Sequence, residues 1–318
     1  MNFSALLTTI ATLFVLLIIG YIAGKTGVID SVASKKLSAL ILKISQPMLI
    51  IYSIVKMQYS AQNLALGLKT IALCFALHLF MAVIAFFACI KIKNLDERKI
   101  IEFSMIFGNT GFIGIPIMES LFGDVGAFMA AFNMIVFNTL LWALGLSIFA
   151  RKRDDIKLTV KKVLINKGTV PSVIGLLIFV IPALIPSFKI PAFALSSLSY
   201  AASLCTPVSM FIIGALLAGR TAKQIFGSPK VYYLCAFKLV ILPLLVGIIM
   251  KLVGFGDMWI LFSVALTCMP SATSVSMLAE TYDVSPGFSA QGVGTSSLLS
   301  IATMPCVIFL AQKIIELW

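Results

Sequence analysis

Two short runs in this chain place helix-breaking and hydrogen-bonding residues inside apolar surroundings. The first is Gly108-Asn109-Thr110-Gly111-Phe112-Ile113-Gly114-Ile115-Pro116. The second is Thr267-Cys268-Met269-Pro270-Ser271-Ala272-Thr273-Ser274-Val275-Ser276. Each lies within an apolar stretch long enough to cross a bilayer. In hydrocarbon, a loosened backbone survives only if it is buried in protein or lines a wet cavity. Gly108, Gly111 and Gly114 permit unusual backbone angles and Pro116 withholds an N–H, so main-chain groups are freed to act as ligands. A helix that restarts within a span presents a positive N-terminal end, which suits a carboxylate. Asn109 adds a donor and an acceptor, and Thr110 adds a hydroxyl. Lone hydroxyls bond back to their own helix. Thr267, Ser271, Thr273, Ser274 and Ser276, gathered around Pro270, instead resemble a polar cavity wall. Taken singly, the glycine run also fits close helix packing. Two Gly/Pro-interrupted spans at matching places in two halves point to a transporter's binding site.

Weaker versions of the pattern are Gln46-Pro47 and Thr206-Pro207. They are candidates for the scaffold side of a pocket, and plain proline kinks are the other reading. Ionisable groups within apolar spans are functional suspects by default. His78 could relay a proton, or it could be a neutral core histidine. Lys238 could attract an anion, pair with a carboxylate, or snorkel to the surface as Lys43 is expected to do. Glu119 joins these two as a coupling candidate, although its place near a span end fits plain interfacial exposure. The six cysteines form no Cys-x-x-Cys pair and the chain has one histidine. A metal site, a cofactor and a nucleophile–base set therefore lack material, and an enzyme is not expected. The cysteines read as small buried hydrophobes.

These residues need spans to hold them. The 318 residues are 60% hydrophobic and 11% charged, which a soluble domain could not bury. Ten transmembrane spans are expected, near 3–24, 34–55, 64–90, 100–121, 125–150, 168–188, 194–218, 229–253, 258–280 and 287–312. The first is read as a span and not as a signal peptide, because it is long and has no basic flank. Seventeen Lys and Arg fall in the loops after odd-numbered spans and five on the other side. That bias puts the odd loops in the cytoplasm and both termini outside. It also accounts for the net charge of +12 without nucleic acid.

The halves repeat. Phe103-Ser104 returns as Phe262-Ser263, Met118 as Met277 and Asp124-Val125 as Asp283-Val284, each 159 residues on. Gln46-Pro47 meets Thr206-Pro207, and His78 meets Lys238, at 160. Five spans per half is odd, so the second half must insert inverted. The expected parts are a five-helix repeat over 1–150, a basic cytoplasmic linker over 151–167 and an inverted repeat over 168–318.

At these residues the chain resembles the auxin efflux carrier family. The match runs through Phe103-Ser104, Asn109-Thr110, Gly114-Ile115-Pro116 and Gly123-Asp124. It continues through Met269-Pro270, Glu280-Thr281-Tyr282-Asp283-Val284-Ser285-Pro286 and Met304-Pro305. The resemblance implies an all-α membrane protein of ten helices in two inverted five-helix repeats. It further implies broken helices four and nine that cross beside the substrate, and an elevator-like movement of six spans against spans one, two, six and seven. Asn109 and Pro116 match the family's crossover positions. Plant carriers often have proline where Gly108 and Val275 stand, and they carry a long cytoplasmic loop that this chain lacks. The likeness is therefore to the bacterial permeases of the family.

The expected function is secondary transport of small organic anions, such as mono- or dicarboxylates, across a plasma membrane, specifically a bacterial inner membrane. Partners are the anion, the bilayer and a proton or sodium ion for coupling, and a homodimer is compatible with the sequence. The rival readings are a sodium-coupled symporter of the related bile-acid type and a membrane solute sensor that binds without transporting.

Overall fold

The computed structural model describes residues 3–156 and 169–317. Among them every regular element is helical, and the only strand-like feature is an isolated bridge between Gly108 and Ser271. Seven helical segments are long and apolar enough to cross a membrane: Ser4–Lys25, Ser31–Val55, Ala61–Cys89, Thr110–Ala150, Ala192–Ala218, Pro229–Val253 and Pro286–Glu316. Two shorter apolar helices are Thr169–Leu184 and Asp257–Thr267. The expected fourth and ninth spans are not continuous helices. The fourth stops at Ile106 and resumes at Thr110, and the ninth stops at Thr267 and resumes at Thr273.

In chain order the helices are α1 (Phe3–Lys25), α2 (Ser31–Leu40), α3 (Gln46–Val55), α4 (Ala61–Cys89), α5 (Leu95–Ile106), α6 (Ile115–Leu140) and α7 (Leu146–Ala150). They continue as α8 (Thr169–Leu184), α9 (Ala192–Ser203), α10 (Cys205–Ala218), α11 (Ala222–Phe226) and α12 (Pro229–Ala236). The last four are α13 (Leu242–Val253), α14 (Asp257–Thr267), α15 (Thr273–Thr281) and α16 (Pro286–Leu317). Start signals are local. Asp30 accepts the Ala33 N–H at 2.7 Å ahead of α2. Asn94 accepts from Asp96 and Glu97 ahead of α5, whose first turn carries those two acids.

Prolines shape the spans in one recurrent way. Pro47, Pro116 and Pro243 are each the second residue of a helix that follows a π-helical turn: Ile41–Ser45, Thr110–Gly114 and Phe237–Ile241. A proline ring clashes with the carbonyl four residues back and offers no N–H to it. A wider turn absorbs both defects without ending the span. A different break occurs at Gly123, where φ is +63°. A Cβ there would meet nothing within 4 Å, so the left-handed backbone, and not crowding, calls for glycine.

The chain forms two compact units that interleave its halves. The first comprises the described residues of Met1–Phe75, Gly111–Thr139 and Thr159–Gly219. Its tightest packing joins α1 to α10. A Cβ on Gly20 would lie 2.4 Å from the Phe211 backbone, and one on Gly214 would lie 2.1 Å from the Leu17 carbonyl. Small residues at such contacts let helix backbones approach closely. Ile41, Cys205 and Ile212 form a core cluster there with Leu37, Leu49, Phe112 and Val208. The second unit comprises the described residues of Ala76–Thr110, Leu140–Leu158 and Arg220–Trp318. Phe103 packs at a tilt on Phe107, with ring centroids 4.6 Å apart, and meets Phe149 edge-on at 5.6 Å. Val231, Cys235 and Leu239 pack with Val240, Phe288 and Leu299.

Five cysteines are buried as expected, but Cys306 is exposed on α16. A thiol is apolar enough to sit on an outward helix face as readily as in a core. Of the basic linker, Arg151 holds the buried Glu102 together with Arg98. Lys157, Lys161, Lys162 and Lys167 lie outside the described residues.

Candidate substrate site at two helix interruptions

Within the second unit the two interruptions meet. The Asn109 N–H donates to the Pro270 carbonyl at 2.7 Å, and the Ala272 N–H donates to the Phe107 carbonyl at 3.0 Å. These reciprocal bonds frame Gly108 and Ser271, which face each other as a single antiparallel bridge. Breaking a helix in an apolar span orphans several N–H and C=O groups. Here each break satisfies part of the other's deficit. Gly108 allows the approach, since a Cβ there would sit 3.0 Å from Met269 Cβ and 3.3 Å from Lys238 Nζ.

The bridge leaves polar side-chain atoms over. Asn109 is 3% exposed, and its Nδ2 has no hydrogen-bond partner. Ser271 is fully buried. Its N–H donates to Ser296 Oγ at 3.1 Å, while its own hydroxyl is unpartnered. The Ser274 hydroxyl, on the second residue of α15, is also buried without a partner. An unmet buried donor or acceptor costs roughly 1–3 kcal/mol. Asn109, Ser271 and Ser274 together leave three such groups at the two interruptions.

Other expected residues are placed as follows. Thr110 is buried, and its N–H bonds the Gly108 carbonyl at 2.8 Å. Pro270 supplies the carbonyl of the bridge, and Thr273 is the half-buried first residue of α15. Thr267 is fully buried, but its hydroxyl is taken by the Ser263 and Val264 carbonyls of its own helix, at 2.7 and 3.1 Å. Lys238 is 1% exposed, and its ammonium donates to the Met105 carbonyl at 3.2 Å. It therefore does not snorkel, and among the described residues it has no carboxylate partner. His78 is buried, with its ring 5.8 Å from that of Phe107.

The first unit holds the remainder. A Cβ on Gly111 would lie 2.7 Å from the Gln46 amide nitrogen, so these two candidates are neighbours. Pro47 is buried, and Pro116, Thr206 and Pro207 are half-buried. Glu119 is exposed and paired with Lys56 at 3.0 Å, beside an Asp124–Lys56 contact of 2.6 Å. Burial lowers the Lys56 pKa, but hydrogen bonds to Asp124 and Glu119 raise it by more, leaving it above the usual 10.5.

The sequence profile of the membrane transport protein family matches residues 5–308. The chain belongs to that family, the auxin efflux carrier family. An uncharacterized transporter of Methanocaldococcus jannaschii is 28% identical over 300 residues, covering 91% of this chain and 94% of that protein. An uncharacterized transporter of Methanothermobacter thermautotrophicus is 22% identical over 300 residues, or 93% and 95% of the two chains. A Rhizobium meliloti protein named "Putative malonate transporter" is 29% identical over 128 residues, 40% of this chain and 39% of that one. With its apolar helices, the chain is thus an integral membrane transporter.

Within this family member, two further buried hydroxyls beside the interruptions escaped sequence reasoning. Ser104 and Ser263 are fully buried with unpartnered hydroxyls, on the helices that run into the two interruptions. Each follows a fully buried phenylalanine, Phe103 or Phe262. The signal was present, because Phe-Ser is the pair that recurs at 159 residues. It served there as evidence of duplication and not of polarity. Ser296, which braces Ser271 from α16, had no sequence signal at all.

Proposed function

We propose that the protein is a secondary transporter (permease) for small organic anions, mono- or dicarboxylates, with its substrate at the meeting of the two interrupted spans. The observation that carries this reading is the Gly108–Ser271 bridge with the buried, unpartnered Asn109 Nδ2 and Ser271 Oγ beside it. Asn109 would donate to a substrate oxygen, aided by backbone from Gly108 to Gly111. Pro270, Ser271, Thr273 and Ser274 would line the opposing side. The helices resuming at Thr110 and Thr273 would offset the anion's charge through their N-terminal ends. Gln46, Pro47, Thr206 and Pro207 are proposed for the scaffold wall, and His78 or Glu119 for proton coupling. The name of the Rhizobium meliloti relative favours malonate as the first acid to try.

The proposed architecture is the ten-span inverted repeat, with halves 1–150 and 168–318, a cytoplasmic 151–167 linker and both termini outside a bacterial inner membrane. The like environments of Phe103-Ser104 and Phe262-Ser263 support the duplication. Alternating access would follow the elevator pattern of the resemblance. The test is uptake of labelled malonate, succinate, malate, lactate and indole acetate into proteoliposomes under separate proton, sodium and voltage gradients. One acid should show saturable uptake that is lost in Asn109→Ala while membrane insertion stays normal. Undiminished uptake by that variant would refute the site.

A further inference from the structure

Lys238 presents a buried basic side chain that the site described above does not use. It lies on the π-helical turn Phe237–Ile241, is 1% exposed, and has no carboxylate partner among the described residues. A buried ammonium needs some other negative partner. The partner visible here is a helix end. Met105 is the last residue but one of α5, and its carbonyl accepts the Lys238 ammonium at 3.2 Å. The carbonyls of a helix's last turn carry a partial negative charge of about half an electron and have no partner within the helix. The Phe107 N–H takes the Phe103 carbonyl at 2.9 Å, which leaves the Met105 carbonyl to the lysine.

Carbonyls at the C-terminal ends of interrupted helices are where cation-coupled transporters bind their sodium ion. We infer that Lys238 is a tethered cation standing in that place, so that the interruption is built without a bound sodium ion. A second cation beside the ammonium would be repelled. Gly108 fits this arrangement. A Cβ there would sit 3.3 Å from Nζ, so the glycine keeps the ammonium's path to the α5 end open. The division of labour is then complete within one unit. The lysine serves the carbonyl end of the break, while Asn109 Nδ2 and the restarting helices remain for an anion. The inference rests on the transport site proposed above, and it removes a sodium-coupled mechanism at this position.

The test uses the full chain in nanodiscs, read by ligand-free thermal unfolding and by malonate binding. In wild type, replacing sodium with N-methylglucamine should change neither. Lys238→Ala should lower the unfolding temperature and weaken malonate binding by roughly 2- to 30-fold, the range a charge at a helix terminus commands. Ethylammonium or sodium should restore both, and N-methylglucamine, which is too large for the vacated space, should not. A sodium requirement in wild type would overturn the inference. So would a Lys238→Ala protein that matches wild type in sodium-free buffer. A variant rescued by no small cation, yet binding the neutral diamide of malonate normally, would show the ammonium meeting the anion instead, which also overturns it. If Lys238→Ala does not fold, the wild-type sodium comparison still decides. If malonate is the wrong acid, wild type binds none of it, and the ligand-free unfolding measurements remain valid.

Discussion

Gly108→Ala puts the bridge itself under test. The new methyl would lie 3.0 Å from Met269 Cβ, 3.3 Å from Lys238 Nζ and 3.5 Å from the Met269 carbonyl oxygen. Met269 is fully buried, so its backbone can yield only if the two interruptions spread apart. Forcing extra volume into a packed interior costs about 1–3 kcal/mol. Spreading would stretch the Asn109–Pro270 and Ala272–Phe107 bonds, now 2.7 and 3.0 Å. Charged to the bridged arrangement alone, that cost lowers its population by about 5- to 150-fold, and the apparent Kd for malonate rises in proportion. Gly111→Ala is the matched control. Its methyl would meet the Gln46 amide nitrogen at 2.7 Å and Met134 Cε at 3.3 Å, both ends of flexible side chains that can swing aside. Its cost should stay within about 1 kcal/mol. Isothermal titration calorimetry and thermal unfolding on the three proteins measure the contrast. Gly108→Ala with wild-type affinity and unfolding temperature, or Gly111→Ala as the more damaged of the two, would refute the requirement for close approach.

Thr267→Val should retain uptake within about twofold, because its hydroxyl is already spent on the Ser263 and Val264 carbonyls. Loss of uptake in that variant would return the hydroxyl to the substrate. Gly214→Ala should destabilise the fold by about 3 kcal/mol or more and lower the unfolding temperature sharply, since the methyl would sit 2.1 Å from the Leu17 carbonyl and force α1 away from α10. Differential scanning calorimetry of the purified variant measures it. The Lys56 ammonium has a folded pKa above its ordinary 10.5, so the stabilisation from Asp124 and Glu119 is complete below pH 10.5 and fades as pH climbs toward the folded value. Wild type should lose more thermal stability than Lys56→Met between about pH 9 and about pH 12; parallel alkaline curves would disprove the coupling.

What the sequence could disclose followed from chemistry that acts locally. Apolar length sets where a helix can cross a bilayer, and α1, α4 and α16 lie close to their expected ranges. Glycine and proline act on their own turn, so the breaks near Gly108 and Pro270 were legible, as was some distortion near Pro47 and Pro116. Whether a proline kinks or widens its helix depends on the turn before it, and the π-helical turns carry no residue signature of their own. The pairing of the two breaks is a different kind of fact. It requires the Asn109 N–H and the Pro270 carbonyl, 161 residues apart, to arrive within 2.7 Å, which no local preference can specify. The same limit governs side chains. A threonine in an apolar helix can always reach back to the carbonyl four residues earlier, so Thr267 and Ser271 looked alike until their neighbours were known. Lys238 had three possible fates inside its span, and only the orphaned Met105 carbonyl on another helix selected a fourth. Breaking one helix created that carbonyl, and a charge on a second helix satisfies it. The site is therefore specified by where chain segments end as much as by which residues they contain.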